Sequence, residues 1–143
     1  MGAKYIFLDV DGVLNNYTSH TILDDTNVRL FKELCDALGD VKIVITSSWR
    51  LFEDAMNDLR DCFIEYNIPL WVGMTTSNRK YQREEQVLMY MFEHNIQENE
   101  IVILDDIYFF KQLKHRFVNT SMKTGLTIED VHRVLELFKE DLM

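Results

Sequence analysis

Short apolar runs alternate along the chain with longer segments whose apolar residues recur every three or four positions. The runs at 5–8, 41–45 and 101–104 are rich in β-branched and aromatic residues and are interrupted only by Lys42, which is typical of strands buried on both faces. A weaker run at 68–72 contains the only proline of the chain, which favours a sheet edge or the start of a strand. Residues 116–119 complete the set, so five strands are predicted.

The segments between these runs have the apolar spacing of helices. Asp25 or Thr26 is expected to cap the first helix, and Thr127 with Asp130 resembles a capping box for the last. The predicted helices cover residues 26–38, 51–66, 82–95, 107–115 and 128–142. Strands that alternate with helices favour a parallel sheet covered on both faces. The expected fold is a three-layer α/β domain.

Polar side chains follow the predicted strands at the edge where such sheets bind ligands, outside the carboxyl ends of the strands. Acids follow the first and fourth strands, hydroxyl residues follow the second, and cations stand at the start of the third helix. The side chains expected to converge there are Asp9, Asp11, Thr46, Ser47, Lys80, Arg83, Asp105 and Asp106.

Asp9 and Asp11 stand two residues apart, directly after the first strand. Side chains at i and i+2 share one face of an extended chain, so both carboxylates are expected to point toward one place. Two like charges that close are unfavourable unless a cation or a shared proton compensates them. The pair therefore indicates a metal-assisted reaction site.

Composition limits the cellular compartments in which the protein is expected and the partners that it is expected to bind. The chain has 143 residues, 47% of them hydrophobic, which suits a single domain over residues 1–143. Its net charge is −9, so it repels polyphosphate backbones on average, and any nucleic-acid contact must be local or at a strand end. Cys35 and Cys62 are expected to be buried free thiols. Without a leader-like N-terminus or a spanning apolar run, we expect a soluble cytoplasmic protein that does not bind membranes.

Four carboxylates in one cleft call for a hard divalent cation. Magnesium fits best, because it accepts carboxylate ligands and keeps waters for substrate oxygens. A hydroxyl, a cation and a metal together bind a phosphoryl group, which one aspartate can attack while another moves the proton. Beside this set, Trp49 is expected to pack against the core, and Arg50 is a candidate phosphate contact.

The order of these groups along the chain resembles the order of the motifs in the haloacid dehalogenase-like (HAD) phosphohydrolase superfamily. Its first motif, Asp-x-Asp-Gly, stands at residues 9–12, and its second, an apolar strand ending in Thr or Ser, at 43–46. Its third, a cation at a helix start, fits Arg83 or Lys80, and its fourth, an acidic pair after an apolar strand, stands at 103–106. The resemblance spans nearly the whole chain. It implies a Rossmann-like HAD fold with a mainly parallel sheet of about five strands.

The resemblance also implies a role for each residue. Asp9 is implied as the nucleophile and a metal ligand, and Asp11 as the general acid and base, with its main-chain carbonyl on the metal. Thr46 holds a phosphoryl oxygen. The candidates are Asp9, Asp11, Thr46, Arg83 and Lys80 for catalysis; Thr46, Ser47, Gly12 and Arg50 for substrate; and Asp9, Asp11, Asp105 and Asp106 for magnesium.

A closer likeness is to the small HAD domains allied to RNA-repair proteins. The strings FLDVDGVLN, ITSSWR, VILDD and TGLT carry it, together with REEQV before an apolar helix. In that group an arginine followed by an acidic helix start occupies the third motif, which favours Arg83 over Lys80. Gln86 stands where the group usually has Glu, which is a departure from the group's pattern.

HAD enzymes that act on small metabolites usually carry a cap domain, and this chain has no room for a large one. About ten residues separate Leu14 from the first helix, and one helix and a weak strand lie between Thr46 and Arg83. An open site suits a phosphate on a macromolecule, such as a polynucleotide end or a phosphoprotein. The expected function is a magnesium-dependent phosphatase. The alternatives are a non-catalytic module that binds phosphate or a nucleic-acid end, and a metal-dependent nuclease.

Overall fold

A five-stranded sheet forms the centre of the computed structural model, which describes residues 3–107 and 110–140. The strands are β1 (Lys4–Leu8), β2 (Val41–Ile45), β3 (Gly73–Met74), β4 (Ile101–Asp105) and β5 (Phe117–Asn119). Their order across the sheet is β3-β2-β1-β4-β5, and all neighbouring pairs are parallel. The chain builds outward from β1 on one side and then crosses to the other side for β4. This change of direction creates a crevice beside β1, where such sheets bind ligands.

Helices connect the first four strands, and a last helix follows β5. They are α1 (Asp25–Leu38), α2 (Glu53–Glu65), α3 (Arg83–Glu93) and α4 (Ile128–Glu140), with short 3-10 turns at Ser48–Leu51, Glu98–Glu100 and Lys114–Arg116. Asp24 caps α1 by accepting the Asn27 N–H at 3.1 Å, so the predicted caps, Asp25 or Thr26, are wrong by one or two residues. The capping box of Thr127 and Asp130 before α4 is confirmed, with bonds of 3.0 and 3.2 Å. No helix of the described residues is long and apolar enough to cross a membrane.

The two faces of the sheet bury separate apolar clusters. Ile6 and Leu8 of β1 lie on the face covered by α1, α2 and α4, where the rings of Phe31 and Phe63 are 6.1 Å apart. Phe7, between them in the chain, packs on the opposite face against α3. Successive side chains of a buried strand alternate in this way. The three-layer α/β fold with a parallel sheet is therefore confirmed.

The third strand lies later in the chain than the pattern predicts. We expected it at 68–72, whereas β3 begins at Gly73. The Ile68 N–H still belongs to the end of α2, since it donates to the Phe63 carbonyl at 2.8 Å. Pro69 has no N–H to offer a ladder, so pairing with β2 begins beyond it. The predicted position is wrong, although the strand does lie at an edge of the sheet.

The helix expected at 107–115 does not form in the part of this segment that the structure describes, and residues 108–109 lie outside the described residues. The side chain of Glu84, in α3, accepts the N–H groups of Gln112 and Leu113 at 2.8 and 3.0 Å. These N–H groups are therefore not available for the i→i−4 bonds of a helix. The short 3-10 turn before β5 is the one helical piece that this described part contains.

α2 begins at Glu53 rather than at residue 51, because a 3-10 turn precedes it. The last helix was expected to reach residue 142, but residues 141–143 lie outside the described residues.

Both cysteines are free thiols, as expected. Cys35 is buried, whereas Cys62 is only half-buried. Burial raises the pKa of Cys35 to about 12 and that of Cys62 to about 11, so both thiols stay protonated and unreactive near neutral pH.

Candidate active site

The register of the central strands brings Asp9, Thr46 and Asp105 side by side. Leu8 ends β1 and is in register with the last residue of β2 and with Leu104 of β4. The ladder continues one step further, since the Asp9 N–H donates to the Leu104 carbonyl at 3.0 Å and the Thr46 N–H to the Leu8 carbonyl at 2.9 Å. The next residue of each strand therefore stands at the same level of the carboxyl edge.

Three carboxylates converge at this edge. Asp9, Asp105 and Asp106 each offer one oxygen, and these oxygens all lie within 4.8 Å of one another. Asp9 is 5% exposed and Asp105 is fully buried. Because little water reaches these groups, their mutual repulsion is poorly screened. The three acids form the chemical centre of the site.

Gly12 allows the loop after β1 to pack against Asp106. Its φ of +80° lies in the left-handed region, which glycine adopts at low cost. A Cβ atom at this position would lie 2.5 Å from Asp106 Oδ2. The Gly12 N–H donates to Asn15 Oδ1 at 2.9 Å, so it is engaged within the turn rather than open to a substrate. Gly12 therefore lets this loop approach Asp106 closely, and its own N–H is already bonded within the turn.

Arg83 supplies positive charge beside the acids. It is the first residue of α3, and its Nη1 lies 2.6 Å from Asp105 Oδ2 and 3.6 Å from Asp9 Oδ1. Lys80, the other candidate for this role, is exposed on the loop before α3, and its side chain makes no ion pair with any described residue. Arg83 is thus the cation that the fold brings to the carboxylates.

Negative charge exceeds positive charge in this cluster. Burial, followed by the negative charge of Asp105, raises the pKa of Asp9 to about 8, even though Arg83 opposes the shift. Burial likewise raises the pKa of Asp105 against the effect of Arg83. One guanidinium therefore does not compensate three crowded carboxylates.

The chemistry of the donor set fits magnesium. Carboxylate oxygens are the ligands that hard cations prefer, and magnesium keeps several waters beside one or two of them. Asp9, Asp105 and Asp106 are the residues that would hold it, and no His or Cys belongs to the group in the described part of the chain. A divalent cation would also offset the excess negative charge that raises the pKa of Asp9.

Asp11 does not join this group of acids, contrary to the expectation from an extended chain. β1 ends at Leu8, and the backbone then turns at Val10, whose carbonyl accepts two N–H groups from the next turn. Residues i and i+2 therefore no longer share a face. Asp11 is exposed, and its Oδ1 accepts from Asn15 Nδ2 at 2.9 Å and from Trp49 Nε1 at 3.1 Å. Its carboxylate is held beside the metal-ligand candidates rather than among them.

Thr46 and Ser47 differ at the end of β2. Thr46 is fully buried, and its Oγ1 has no hydrogen-bond partner among the described residues. A buried hydroxyl without a partner costs free energy, so this one is suited to bind a ligand oxygen. Ser47 Oγ accepts the Trp49 N–H at 3.1 Å and caps the 3-10 turn that follows. Thr46 is accordingly the stronger candidate for a contact with substrate.

Arg50, a candidate phosphate contact, has no free donor. It donates to four main-chain carbonyls on the loops after β2 and β3, at 2.6 to 3.1 Å. It also donates to Gln86 Oε1 at 3.1 Å. A guanidinium has five N–H groups, and these contacts use all of them. Arg50 therefore braces the end of β2 against the loop before α3, with all its N–H groups engaged inside the fold.

Sequence reasoning missed two side chains at the site. Trp49 belongs to the apolar core, as expected, yet its indole N–H reaches Asp11. Asn15 bonds both Gly12 and Asp11 within one turn. Asn side chains commonly bond nearby backbone groups in turns, so the spacing from Gly12 to Asn15 was an available signal. Nothing in the local pattern connects Trp49 with Asp11, because the two residues lie 38 positions apart.

The comparisons with known proteins agree with this geometry. The family model for the HAD domain in Swiss Army Knife RNA repair proteins matches residues 5–131, which include every side chain of the site. No match was found among curated proteins or among solved structures. The matched residues make up most of the chain, which therefore belongs to the family of HAD domains found in Swiss Army Knife RNA repair proteins.

Proposed function

We propose that the protein is a magnesium-dependent phosphatase that hydrolyses phosphomonoesters through an aspartyl-phosphate on Asp9. The observation that carries this proposal is that Asp9 lies 3.6 Å from Arg83 and next to Thr46 of the neighbouring strand, whose buried hydroxyl has no partner among the described residues. A nucleophile, a cation and a hydrogen-bond donor are the groups that phosphoryl transfer needs around one phosphorus atom. Membership of the HAD family supports the same class of reaction.

Asp9 acts as the nucleophile. In the first step, one of its carboxylate oxygens forms a bond to phosphorus, while the bond from phosphorus to the ester oxygen breaks. The Thr46 hydroxyl donates to a phosphoryl oxygen, and Arg83 offsets the negative charge of the transferred group. Magnesium, when bound by the acids, supplies Lewis-acid neutralisation of the phosphoryl oxygens.

Asp11 moves the proton. Its Oδ1 already accepts two hydrogen bonds, so the proton is carried on Oδ2. From there it passes to the leaving ester oxygen in the first step. The same oxygen then removes a proton from the water that attacks the phosphorus of the aspartyl-phosphate. This second step releases inorganic phosphate and restores both aspartates.

The proposed substrate is an accessible phosphate on a macromolecule, such as a polynucleotide end or a phosphoprotein. Only residues 13–24 lie between the first motif and α1, and the described residues between Thr46 and Arg83 form a 3-10 turn, α2 and β3. Neither segment is a domain that would enclose a small metabolite. The family description names RNA repair proteins, which favours the polynucleotide end. The free thiols of Cys35 and Cys62 support a cytoplasmic location.

A substrate panel, with and without magnesium, tests this function. The panel contains small phosphate esters, RNA and DNA with 3′- or 5′-phosphates, and phosphopeptides. We expect magnesium-dependent release of inorganic phosphate, fastest from a polynucleotide end. Binding without release from any substrate would favour a non-catalytic module. Internal cuts in single-stranded RNA or DNA would favour a nuclease, and a preference for free nucleotides or sugars would contradict the proposed macromolecular substrate.

A further inference from the structure

A groove of about 450 Å³ adjoins the candidate active site and shares Arg83 with it. The groove lies where the loop before α3 faces the turn after β2. Its polar lining consists mainly of Ser48, Arg50, Ser77, Arg79, Tyr81 and Arg83. Arg83 Nη1 lies 3.6 Å from Asp9, so the groove and the candidate nucleophile share this side chain.

The groove is positive although the protein as a whole is strongly negative. Three of its lining residues are arginines, and none of the described residues that line it is acidic, in a chain with 24 acidic residues. Arg50 uses all its donors within the fold, and Arg83 is paired with Asp105. Arg79, in contrast, is exposed and makes no hydrogen bond or ion pair through its side chain with any described residue. Its five N–H groups are free to bind an anion.

Gln86 holds the loop that carries Arg79. Its Oε1 accepts from Arg50 at 3.1 Å, while its Nε2 donates to the carbonyls of Asn78 and Tyr81 at 3.3 and 3.2 Å. Gln86 is 7% exposed, so this amide joins the brace of Arg50 to the residues on either side of Arg79. A carboxylate at this position would still accept from Arg50 but would have no N–H for the two carbonyls. The amide thus fixes the loop in a way that a glutamate would not.

We propose that this groove binds a second phosphate of the substrate through Arg79, namely the phosphodiester adjacent to the terminal phosphate of a nucleotide chain. The inference rests on the proposed function, which places the terminal phosphate at Asp9. A nucleotide chain carries a phosphate at every step, so a second anionic site beside the first is always filled by the correct substrate. The ring of Tyr81 offers a surface on which the intervening nucleoside can stack. The groove also gives an acidic protein the local nucleic-acid contact that its net charge otherwise opposes.

Binding measurements that do not require turnover test this proposal. Calorimetry on the Asp9→Asn variant compares a dinucleotide carrying a terminal phosphate with the corresponding mononucleotide, for both 3′- and 5′-phosphates. We expect the dinucleotide of the correct polarity to bind about tenfold more tightly, as one charge-assisted contact allows. Adding Arg79→Ala should remove this advantage. Lys80→Ala removes the neighbouring cation, which does not line the groove, and should keep it.

Other outcomes of these measurements would overturn the groove, the choice of a nucleotide chain or the phosphatase proposal. Equal affinity for dinucleotide and mononucleotide, or an equal loss in the Arg79→Ala and Lys80→Ala variants, would overturn the proposed groove. An equal advantage for a doubly phosphorylated peptide over a singly phosphorylated one would overturn the choice of a nucleotide chain. If the wild-type protein releases no phosphate but the binding preference is present, the phosphatase proposal fails and the groove stands. Gln86→Glu gives a second check, since it should lower the preference without changing the circular dichroism spectrum.

Discussion

Arg83 Nη1 lies 2.6 Å from Asp105 Oδ2, so the first residue of α3 is tied to the last residue of β4. Asp105 is fully buried, and two further acids lie close to it. These are Asp9, at the end of the neighbouring strand, and Asp106, the next residue of the chain. The contact therefore stabilises the fold. It also determines how much uncompensated negative charge is left at the site, which attracts a metal ion and repels a phosphate.

Removing this guanidinium should destabilise the protein. Arg83→Ala leaves the buried Asp105 without its ion-pair partner, and we expect a loss of about 2 kcal/mol in the free energy of unfolding, because Arg83 itself is partly exposed. Magnesium should raise the melting temperature more in this variant than in the wild type, since the metal takes over part of the compensation. Thermal unfolding with magnesium and with a chelator measures both effects. Arg79→Ala, at an unpaired arginine, is the control and should melt like the wild type, and an unchanged Arg83→Ala protein would contradict this account.

Trp49 should act on the reaction through Asp11. Trp49→Phe keeps most of the buried ring but removes the N–H that donates to Asp11 Oδ1 at 3.1 Å. A hydrogen bond to a charged group is worth about 1.5–3 kcal/mol, so we expect kcat to fall by about tenfold or more while KM changes little. Trp71→Phe is the matched control, because Trp71 packs against Phe63 and its indole N–H bonds no described residue. Equal kcat values for the two variants would show that the indole N–H does not position Asp11.

Gly12→Ala should displace Asp106. The added Cβ would lie 2.5 Å from Asp106 Oδ2, and the φ of +80° is itself unfavourable for alanine. Gly39→Ala separates the two effects, because Gly39 has a φ of +79° but open space around its Cβ position. We expect both variants to lose about 1–2 kcal/mol of stability from the backbone. Only Gly12→Ala should also weaken magnesium binding, as measured by calorimetry, and equal magnesium affinity in the two variants would argue against Asp106 as a ligand.

The sequence predicted the parts of the site that depend on strand register. Most residues of β1, β2 and β4 are buried, so their apolar runs are nearly continuous, with the exposed Lys42 as the interruption in β2. Their carboxyl ends are visible as the points where polar residues begin. Asp9 and Thr46 directly follow β1 and β2, Asp105 is the last residue of β4, and the parallel pairing brings the three together.

The sequence did not predict the features that depend on side chains from distant segments. Asp11 leaves the extended chain because the backbone turns at Val10, and its direction is set by Trp49 from another loop. Arg50 is a residue type that commonly binds phosphate, and only its five contacts in the structure show that its donors are occupied. The expected helix after β4 was likewise displaced by Glu84, a residue that packs there from α3.

The most direct test of the account is the rate of phosphate release from a generic aryl phosphate by the wild type and by Asp9→Asn. Asp40→Asn, at an exposed aspartate after α1, makes the same chemical change away from the site and serves as the control. We predict magnesium-dependent turnover by the wild type and by Asp40→Asn, and no turnover by Asp9→Asn although its circular dichroism spectrum is that of a folded protein. Turnover by Asp9→Asn at the wild-type rate, or a wild-type rate that is unchanged when a chelator removes magnesium, would contradict the central claim.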